Sequence, residues 1–242
     1  MLRVPLPELH GAAAGAIEVH RIDLSLDDEP AEALAWLDPA ERAHATRFAR
    51  CADRVRFAVT RAATRRLLAS RLGCAPAQVR FAPDRHGKPH IADEPGLPFN
   101  VTHSGRHALV AIGDGTRVEA VGVDIEQCRR DAQTMSILDV AFVADEQRRI
   151  RTAHDPLGAL YRHWTAKEAV LKAAGVGVAE HLLAVTVDPG TAGRTTTLHP
   201  REITVRSPLA ALNSWQAMAL DMPDGYVAAL AWRIKEPSCK TS

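Results

Sequence analysis

Hydrophobic and polar positions along the chain fall into two kinds of pattern. Alternation with a period of two, typical of strands with one buried face, predicts strands over residues 16–25, 99–105, 107–113 and 120–126. Near the C-terminus the same pattern covers LAVTVD, EITVR, WQAMALDM and YVAALAWR. Helical spacing predicts helices around residues 30–37, 39–49, 52–72, 132–152 and 157–174.

The order of these elements recurs along the chain. Each part begins with a strand, continues through helices and ends in further strands, and the turn signal GDGT (113–116) separates the two parts. This order predicts an α+β fold with an N-terminal half at residues 1–115 and a C-terminal half at residues 116–242. No sequence repeat demonstrates that one half is a duplicate of the other.

The strand AVGVDIE has a distinctive polar face. Val121, Val123 and Ile125 alternate with Gly122, Asp124 and Glu126. Residues i and i+2 on one strand face lie roughly 6.5–7 Å apart, close enough for two carboxylates to share a cation. Oxygen ligands of this kind favour Mg²⁺. The alternative is a solvated strand end, where paired acids are common.

The segment YRHWTAKEAVLKAAGVG (161–177) is rich in good helix formers. Trp164, Glu168 and Lys172 have i, i+4 and i+8 spacing, so they share one helix stripe. In one interpretation Glu168 supplies a third acid to the metal while Lys172 holds a phosphate oxygen. In the other, Trp164 belongs to the core and the remaining two form an ordinary surface ion pair.

A third candidate combines GKP (87–89) with FNVTHSG (99–105). Lysine, histidine, serine and glycine in loops suit anion binding, because a cation, a hydroxyl and backbone N–H groups can converge there. The four-residue spacing within His86/His90 and His103/His107 does not predict a zinc site, because these residues lie among glycines and prolines or at a strand end.

Composition excludes several classes of protein. The 242 residues are 46% hydrophobic and 24% charged, and the formal net charge of +1 argues against a nucleic-acid coat or a membrane-surface protein. No apolar run approaches the roughly 20 residues that span a bilayer. The scattered Cys51, Cys74, Cys128 and Cys239 predict reduced thiols in a cytoplasmic protein without a disulfide framework.

One local charge imbalance stands out. Residues 42–71 contain nine arginines and a single acid, Asp53. We expect most of these arginines to form a solvated basic face, with a minority contacting a polyanionic ligand or an acidic protein.

Taken together, GKP, FNVTHSG, VGVDIE and WTAKEAVLK followed by GVG, in this order, resemble the Sfp-type 4′-phosphopantetheinyl transferases. The resemblance spans about residues 39–180. It implies two pseudo-twofold-related α+β halves with coenzyme A in the cleft between them. It also implies transfer of the 4′-phosphopantetheine arm of coenzyme A to a serine of apo acyl or peptidyl carrier proteins, with Mg²⁺, releasing adenosine 3′,5′-bisphosphate.

The resemblance assigns roles to individual residues. It implies that Asp124, Glu126 and Glu168 are the metal ligands, with Asp124 also at the coenzyme A site. Glu168 would also take the serine proton, and Lys172 would stabilise charge on the pyrophosphate. Gly122 would let the ligand approach the acids.

The remaining assignments concern the nucleotide. The resemblance implies that Arg56 and His103 hold the 3′-phosphate, and that Ser104 and Lys88 contact the pyrophosphate and adenine region. Lys167, one residue from Glu168, is expected to be structural. The sequence departs from the family at Glu41 and His44, where lysines contact the nucleotide in many members.

Two other functions fit parts of the sequence. The acids with the basic helix suit a Mg²⁺-dependent nuclease or phosphodiesterase, although the arginines lack the interleaved aromatics of single-strand binders. A catalytically inactive coenzyme A-binding protein is the third reading, disfavoured by the complete acidic trio. We expect a monomer, because the implied cleft lies within one chain, and the carrier protein that it serves is not specified by the sequence.

Overall fold

A computed structural model describes residues 1–6, 9, 13–94, 96–130, 134–190 and 202–236. The strands in these ranges are β1 (Leu2–Val4), β2 (Ile17–Asp23), β3 (Phe81–Pro83), β4 (Pro89–Ile91), β5 (Phe99–Ser104), β6 (His107–Gly113), β7 (Val118–Gln127), β8 (Thr186–Asp188), β9 (Glu202–Arg206), β10 (Gln216–Leu220) and β11 (Tyr226–Ile234). The helices are α1 (Ala31–Ala35), α2 (Pro39–Ala45), α3 (Cys51–Leu72), α4 (Leu138–Ala141), α5 (Ala144–Thr152), α6 (Pro156–Ala174) and α7 (Val178–His181). The fold is therefore α+β, as the sequence predicts.

The first sheet has the strand order β1-β2-β6-β5, and its pairs are antiparallel. Helix α3 covers one face, where Val55 and Leu68 pack in one cluster with Val110 and Ile112 of β6. The short β3–β4 hairpin stands beside this sheet as a separate two-stranded unit. The N-terminal half thus packs one long helix on an antiparallel sheet.

The second sheet has the order β7-β11-β10-β9-β8 and is also antiparallel. Helix α6 covers one face of it. On the other face, Val121, Val123 and Ile125 share a core cluster with Val19 and Leu109 of the first sheet. The aliphatic face of β7 therefore joins the two halves, which leaves its polar face directed toward α6.

Gly122 serves this contact with α6. A Cβ at Gly122 would lie 2.1 Å from the carbonyl oxygen of Ala169 and 2.4 Å from the amide nitrogen of Ala173. The expectation that this glycine admits a ligand is wrong, because helix backbone already fills the space. Without a side chain at Gly122, α6 lies directly on the strand that carries Asp124 and Glu126.

The edges of the two sheets meet at a seam formed by β5 (Phe99–Ser104) and β7 (Val118–Gln127), each an outermost strand of its sheet. Side chains of the first half satisfy backbone groups along the free edge of β7. Asn100 Oδ1 accepts from Val123 N at 2.9 Å, and Ser104 Oγ accepts from Gln127 N at 3.0 Å. An unpaired strand edge is thereby covered.

Several element boundaries differ from those predicted. The helix predicted over residues 132–152 is two helices, α4 and α5, separated by extended backbone at Phe142 and Val143. Residues 132 and 133 of that prediction lie outside the described residues. Strand β1 and the β3–β4 hairpin are additional to the predicted strands. None of the described helices combines the length and apolar character needed to cross a membrane.

Candidate active site

Helix α6 carries two of the predicted site residues. Asp155 caps its start, accepting from Gly158 N at 3.1 Å, and Gly175 ends it with a φ of 67°. The left-handed conformation at this position favours glycine. Glu168 and Lys172, one turn apart, both reach the site beside the polar face of β7.

Lys172 is the point at which the acids converge. Its Nζ lies 2.5 Å from Asp124 Oδ1 on β7 and 3.0 Å from Glu168 Oε2 on its own helix. Burial opposes the charge on this ammonium, but the two carboxylates raise its pKa above the ordinary value. The structure therefore brings Asp124, Glu168 and Lys172 together, although Glu168 lies 44 residues and Lys172 lies 48 residues after Asp124 in the sequence.

Asp124 is 2% exposed. Its Oδ1 accepts from Lys172 and, at 3.0 Å, from Thr102 Oγ1, whereas its Oδ2 is buried without a hydrogen-bond partner. Burial raises the pKa of Asp124 to about 7, and the Lys172 ammonium only partly offsets this. Burial disfavours the charged form of a carboxyl, so this site would favour a compensating cation.

Glu126 lies on the same strand face. Its Oε2 accepts from Ser104 Oγ at 2.8 Å, and the Trp164 side chain lies near its carboxylate, where it slightly favours the charged form. Burial raises the pKa of Glu126, and repulsion from Glu168 adds to the effect. Trp164, predicted on the same helix stripe as Glu168, thus contacts both the core and the acidic group.

These residues fit a hard divalent cation. They offer carboxylate oxygens of the kind that Mg²⁺ prefers, and the unpartnered Oδ2 of Asp124 is a buried acceptor without a donor. Within the described ranges, no three histidine, cysteine, aspartate or glutamate side chains are grouped as a complete metal site. The metal-ligand assignment of Asp124, Glu126 and Glu168 therefore stays a prediction.

A cavity of about 340 Å³ opens beside the acids. Helix α3 and strand β5 provide most of its wall, and Lys172 connects it to the acidic group. The described lining residues are Arg56, Phe57, Thr60, Arg61, Thr64, Pro89, Val101, Thr102, His103 and Lys172. The cavity combines cationic groups with an aromatic ring, a lining that suits a phosphorylated nucleotide.

Two predicted nucleotide ligands line this cavity. Arg56 donates to Asp53 Oδ1 at 2.7 Å and to the carbonyl of Gly105 at 3.1 Å, which fixes its guanidinium near His103. Burial, with repulsion from Arg56 and Lys172, lowers the pKa of His103. Arg61, which the sequence reasoning did not single out, also lines the cavity and stacks on the Phe81 ring at 4.5 Å.

The other two predicted nucleotide ligands, Ser104 and Lys88, bind protein groups. Lys88 Nζ donates to the carbonyls of Lys172 at 2.6 Å and Ala173 at 3.3 Å, at the C-terminal end of α6. Burial lowers the pKa of Lys88 to about 8. Ser104 donates to Glu126, as described above. Neither is among the described residues that line the cavity.

The arginine-rich segment is largely ion-paired. Five of its arginines contact acids, in the pairs Arg54–Glu29, Arg56–Asp53, Arg61–Glu41, Arg65–Asp38 and Arg71–Glu18. Five of the nine are exposed, as expected of a solvated face: Arg42, Arg47, Arg50, Arg66 and Arg71. Glu41 also contacts Arg65 and caps α2 with Asp38.

Lys167 is structural, as predicted. Its fully buried Nζ lies 2.6 Å from Glu146 Oε2 and donates to the carbonyls of Ala141 and Leu182 at 2.9 Å each. This cluster holds α6 against α5 and the connection that follows α7.

Comparisons with known proteins agree with this geometry. The family model described as "4'-phosphopantetheinyl transferase superfamily" matches residues 120–231, and the model "4'-phosphopantetheinyl transferase, N-terminal" matches residues 26–114. The two matches meet near the turn between β6 and β7. The first of them contains all three predicted metal ligands and Lys172.

Similar proteins are found in several bacteria. The chain is 34% identical over 171 residues to the 4'-phosphopantetheinyl transferase HetI of Nostoc sp., covering 67% of this chain and 71% of that protein. It is 36% identical to a putative 4'-phosphopantetheinyl transferase of Synechocystis sp., covering 64% and 63%. A 4'-phosphopantetheinyl transferase of Bacillus subtilis is 28% identical, covering 60% and 63%.

The two family models follow one another along the chain, and the similarity to the Nostoc protein runs over about two thirds of both sequences. The chain belongs to the 4′-phosphopantetheinyl transferase superfamily, a family of enzymes.

Proposed function

We propose that this protein transfers the 4′-phosphopantetheine arm of coenzyme A to a serine of apo acyl or peptidyl carrier proteins. The observation that carries the proposal is the position of Lys172. Its ammonium joins two carboxylates from different elements and lines a cavity rich in cationic groups, in a chain of this superfamily. Carboxylates that could hold a metal thus lie beside cationic side chains that could bind phosphate groups.

Mg²⁺ is the proposed metal, and Asp124, Glu126 and Glu168 would hold it. When bound, it would supply charge neutralisation for pyrophosphate oxygens. The raised pKa values of Asp124 and Glu126 support this assignment, because each reflects buried negative charge that the protein compensates incompletely.

The protein residues have separate tasks in the transfer. Glu168 accepts the proton of the carrier serine as its Oγ forms the new bond to phosphorus, and the phosphoanhydride bond to adenosine 3′,5′-bisphosphate breaks. Lys172 stabilises the negative charge that develops on the leaving phosphate. Both side chains are held on one helix, so their spacing is fixed before substrates bind.

Coenzyme A occupies the cavity in this proposal. Arg56 and His103, which line it together, hold the 3′-phosphate, and Lys172 faces the pyrophosphate. The roles predicted for Lys88 and Ser104 at the nucleotide stay predictions, since both side chains donate to protein groups in this structure.

We further propose that residues 1–115 and 116–242 are two pseudo-twofold-related halves with the ligand cleft between them. The strand orders support this relation. In each half the first long strand pairs with the last strand, which pairs with the one before it, giving β2-β6-β5 and β7-β11-β10. The proposal includes a cytoplasmic monomer that acts on carrier domains and on neither nucleic acid nor membranes.

Incubation with coenzyme A, Mg²⁺ and a panel of apo carrier proteins tests this function. We expect mass spectrometry to show one phosphopantetheine arm added to the acceptor serine of at least one carrier, and no addition with Asp124→Asn or Glu168→Gln. Circular dichroism of both variants controls for folding. Transfer at the wild-type rate by either variant would contradict the assigned roles.

Failure on every carrier, with tight coenzyme A binding, would instead favour the inactive binding protein. Salt-sensitive retention and cleavage of plasmid or RNA would favour the nuclease.

A further inference from the structure

Alternate residues of β5 form a polar row that faces β7. Asn100, Thr102 and Ser104 each contact a group on that strand: the Val123 amide, the Asp124 carboxylate, and both the Glu126 carboxylate and the Gln127 amide. Asn100 and Thr102 are buried, at 5% and 8% exposure. The same row of side chains thus binds both the free backbone edge of β7 and the carboxylates of Asp124 and Glu126.

The row leaves the two oxygens of Asp124 in different states. Oδ1 accepts from both Thr102 Oγ1 and Lys172 Nζ, whereas Oδ2 is buried and accepts from no described residue. A half-turn of the carboxylate only exchanges two equivalent oxygens, but any smaller rotation would weaken the hydrogen bond from Thr102. The hydroxyl therefore helps to fix the plane of the carboxylate, so that one oxygen is held by Thr102 and Lys172 while the other stays available for a further ligand.

Ser104 does the same for Glu126. A serine hydroxyl has one proton, and Ser104 donates it to Glu126 Oε2 at 2.8 Å while its oxygen accepts from Gln127 N at 3.0 Å. The Ser104 hydroxyl therefore has no second proton to donate to a phosphate oxygen. In this arrangement its contact is with the carboxylate and not with the nucleotide.

We propose that Thr102 and Ser104 are positioning residues that orient the carboxylates of Asp124 and Glu126 for the divalent cation. This inference rests on the proposed function, because it concerns the metal of the same site. Partners that orient metal ligands commonly change metal affinity by about 10- to 100-fold when they are removed. Both hydroxyls come from the half of the chain that carries none of the predicted metal ligands.

The test measures binding of Mn²⁺ alone to the full-length protein by electron paramagnetic resonance, without coenzyme A. We expect Thr102→Val and Ser104→Ala each to raise the Kd for Mn²⁺ by about 10-fold or more. Thr102→Ser and Ser104→Thr retain the hydroxyl and are expected to restore binding to within about threefold. If one removal variant does not fold, the other still tests the proposal, because each hydroxyl contacts a different acid.

Thr64→Val is the matched control. Thr64 also lines the cavity, but its hydroxyl donates to the carbonyl of Thr60 on its own helix. The same chemical change there should leave the Kd for Mn²⁺ unaltered. A purely structural role for Thr102 would lower thermal stability in Thr102→Val without changing that Kd.

Three results would overturn the proposal: no Mn²⁺ binding by the wild-type protein, an unchanged Kd for Mn²⁺ in both removal variants, or weakened coenzyme A binding in EDTA with normal Mn²⁺ binding. The last would place the hydroxyls at the nucleotide. Wild-type protein that modifies a carrier while its variants bind Mn²⁺ normally would contradict the positioning role alone. If Thr102→Val and Ser104→Ala weaken Mn²⁺ binding as expected but the wild-type protein modifies no carrier, the transferase function alone would be contradicted.

Discussion

Two lysines on α6, five residues apart, have opposite surroundings. Lys167 is completely buried, and its ammonium is bound by one carboxylate and two carbonyls. The Lys172 side chain is 25% exposed, lines a cavity, and shares two carboxylates, one of which retains an unpartnered oxygen. Both would be described as lysine–acid ion pairs, yet only one has room for further chemistry.

The difference lies in what is left over at each lysine. Around Lys167, one positive charge meets one negative charge and every donor finds an acceptor, so nothing favours a ligand. Around Lys172, one ammonium contacts the carboxylates of Asp124 and Glu168, Glu126 lies on the same strand face as Asp124, and the pKa values of Asp124 and Glu126 are raised. Excess buried negative charge beside an open cavity distinguishes a candidate binding site from an ion pair that maintains structure.

The largest effect is expected from Lys167→Met. Removing one partner of a buried ion pair leaves Glu146 uncompensated and typically costs about 3–5 kcal/mol in the free energy of unfolding. At about 2–4 °C per kcal/mol for a chain of this size, the Tm should fall by about 10 °C. Thermal unfolding measures this, and a loss below about 1 kcal/mol would show that the cluster does not hold the helix.

Lys172→Met should produce the complementary result. Loss of one charge-stabilising group typically lowers turnover by about 10²-fold or more. The unfolding free energy should change less than in Lys167→Met, because Asp124, with a pKa of about 7, can take up a proton in place of the lost ion pair. Carrier-modification rates and urea unfolding, measured on both variants, check the contrast. Equal stability losses would remove it.

The smallest effect is expected in the pH dependence of stability and concerns His163 of α6. His163 is 4% exposed, its Nδ1 donates to the carbonyl of Ala159 at 2.7 Å, and burial lowers its pKa. Glu146 and Asp188 favour its protonation and Arg162 opposes it. As pH falls below about 6.5, the unfolded chain therefore binds a proton that the folded chain resists, and stability declines toward the lower, folded pKa.

Replacing His163 with glutamine should reduce that decline. Urea unfolding at pH 7.5 and at pH 5.5 gives the difference in stability for each protein, and contributions from other groups cancel between them. A decline of equal size in His163→Gln would assign the pH dependence to other residues. Metal affinity at pH 7.5 should be the same in both proteins.

Sequence patterns were sufficient for one part of the site. Helical spacing places Glu168 and Lys172 on one stripe, and strand alternation places Asp124 and Glu126 on one face. Their meeting also requires α6 to lie on β7, which the resemblance to a known family implied and periodicity alone did not. The role of Gly122 was misjudged because sequence does not reveal whether a helix or a ligand fills the space above it.

The partners of the acids could not be predicted. Thr102 and Ser104 contact residues 22 positions along the chain, across a junction between two separate sheets, and no local period reports which sheet edges meet. The β3–β4 hairpin was missed because its strands have only three residues each and are rich in proline. Long amphipathic elements were predicted most accurately, since burial imposes a repeating pattern on them.

The seam between β5 and β7 has a thermodynamic consequence. Each of the hydrogen bonds described above across it joins a group on one sheet to a group on the other. The binding pocket is therefore lost when the sheets separate, even while each sheet remains internally paired. A ligand that contacts both sheets binds only when they are associated, so by mass action its binding shifts the equilibrium toward the form in which the sheets are joined. Amide hydrogen exchange at Val123 and Gln127, which donate across this junction, would measure how often the sheets separate with and without the ligand.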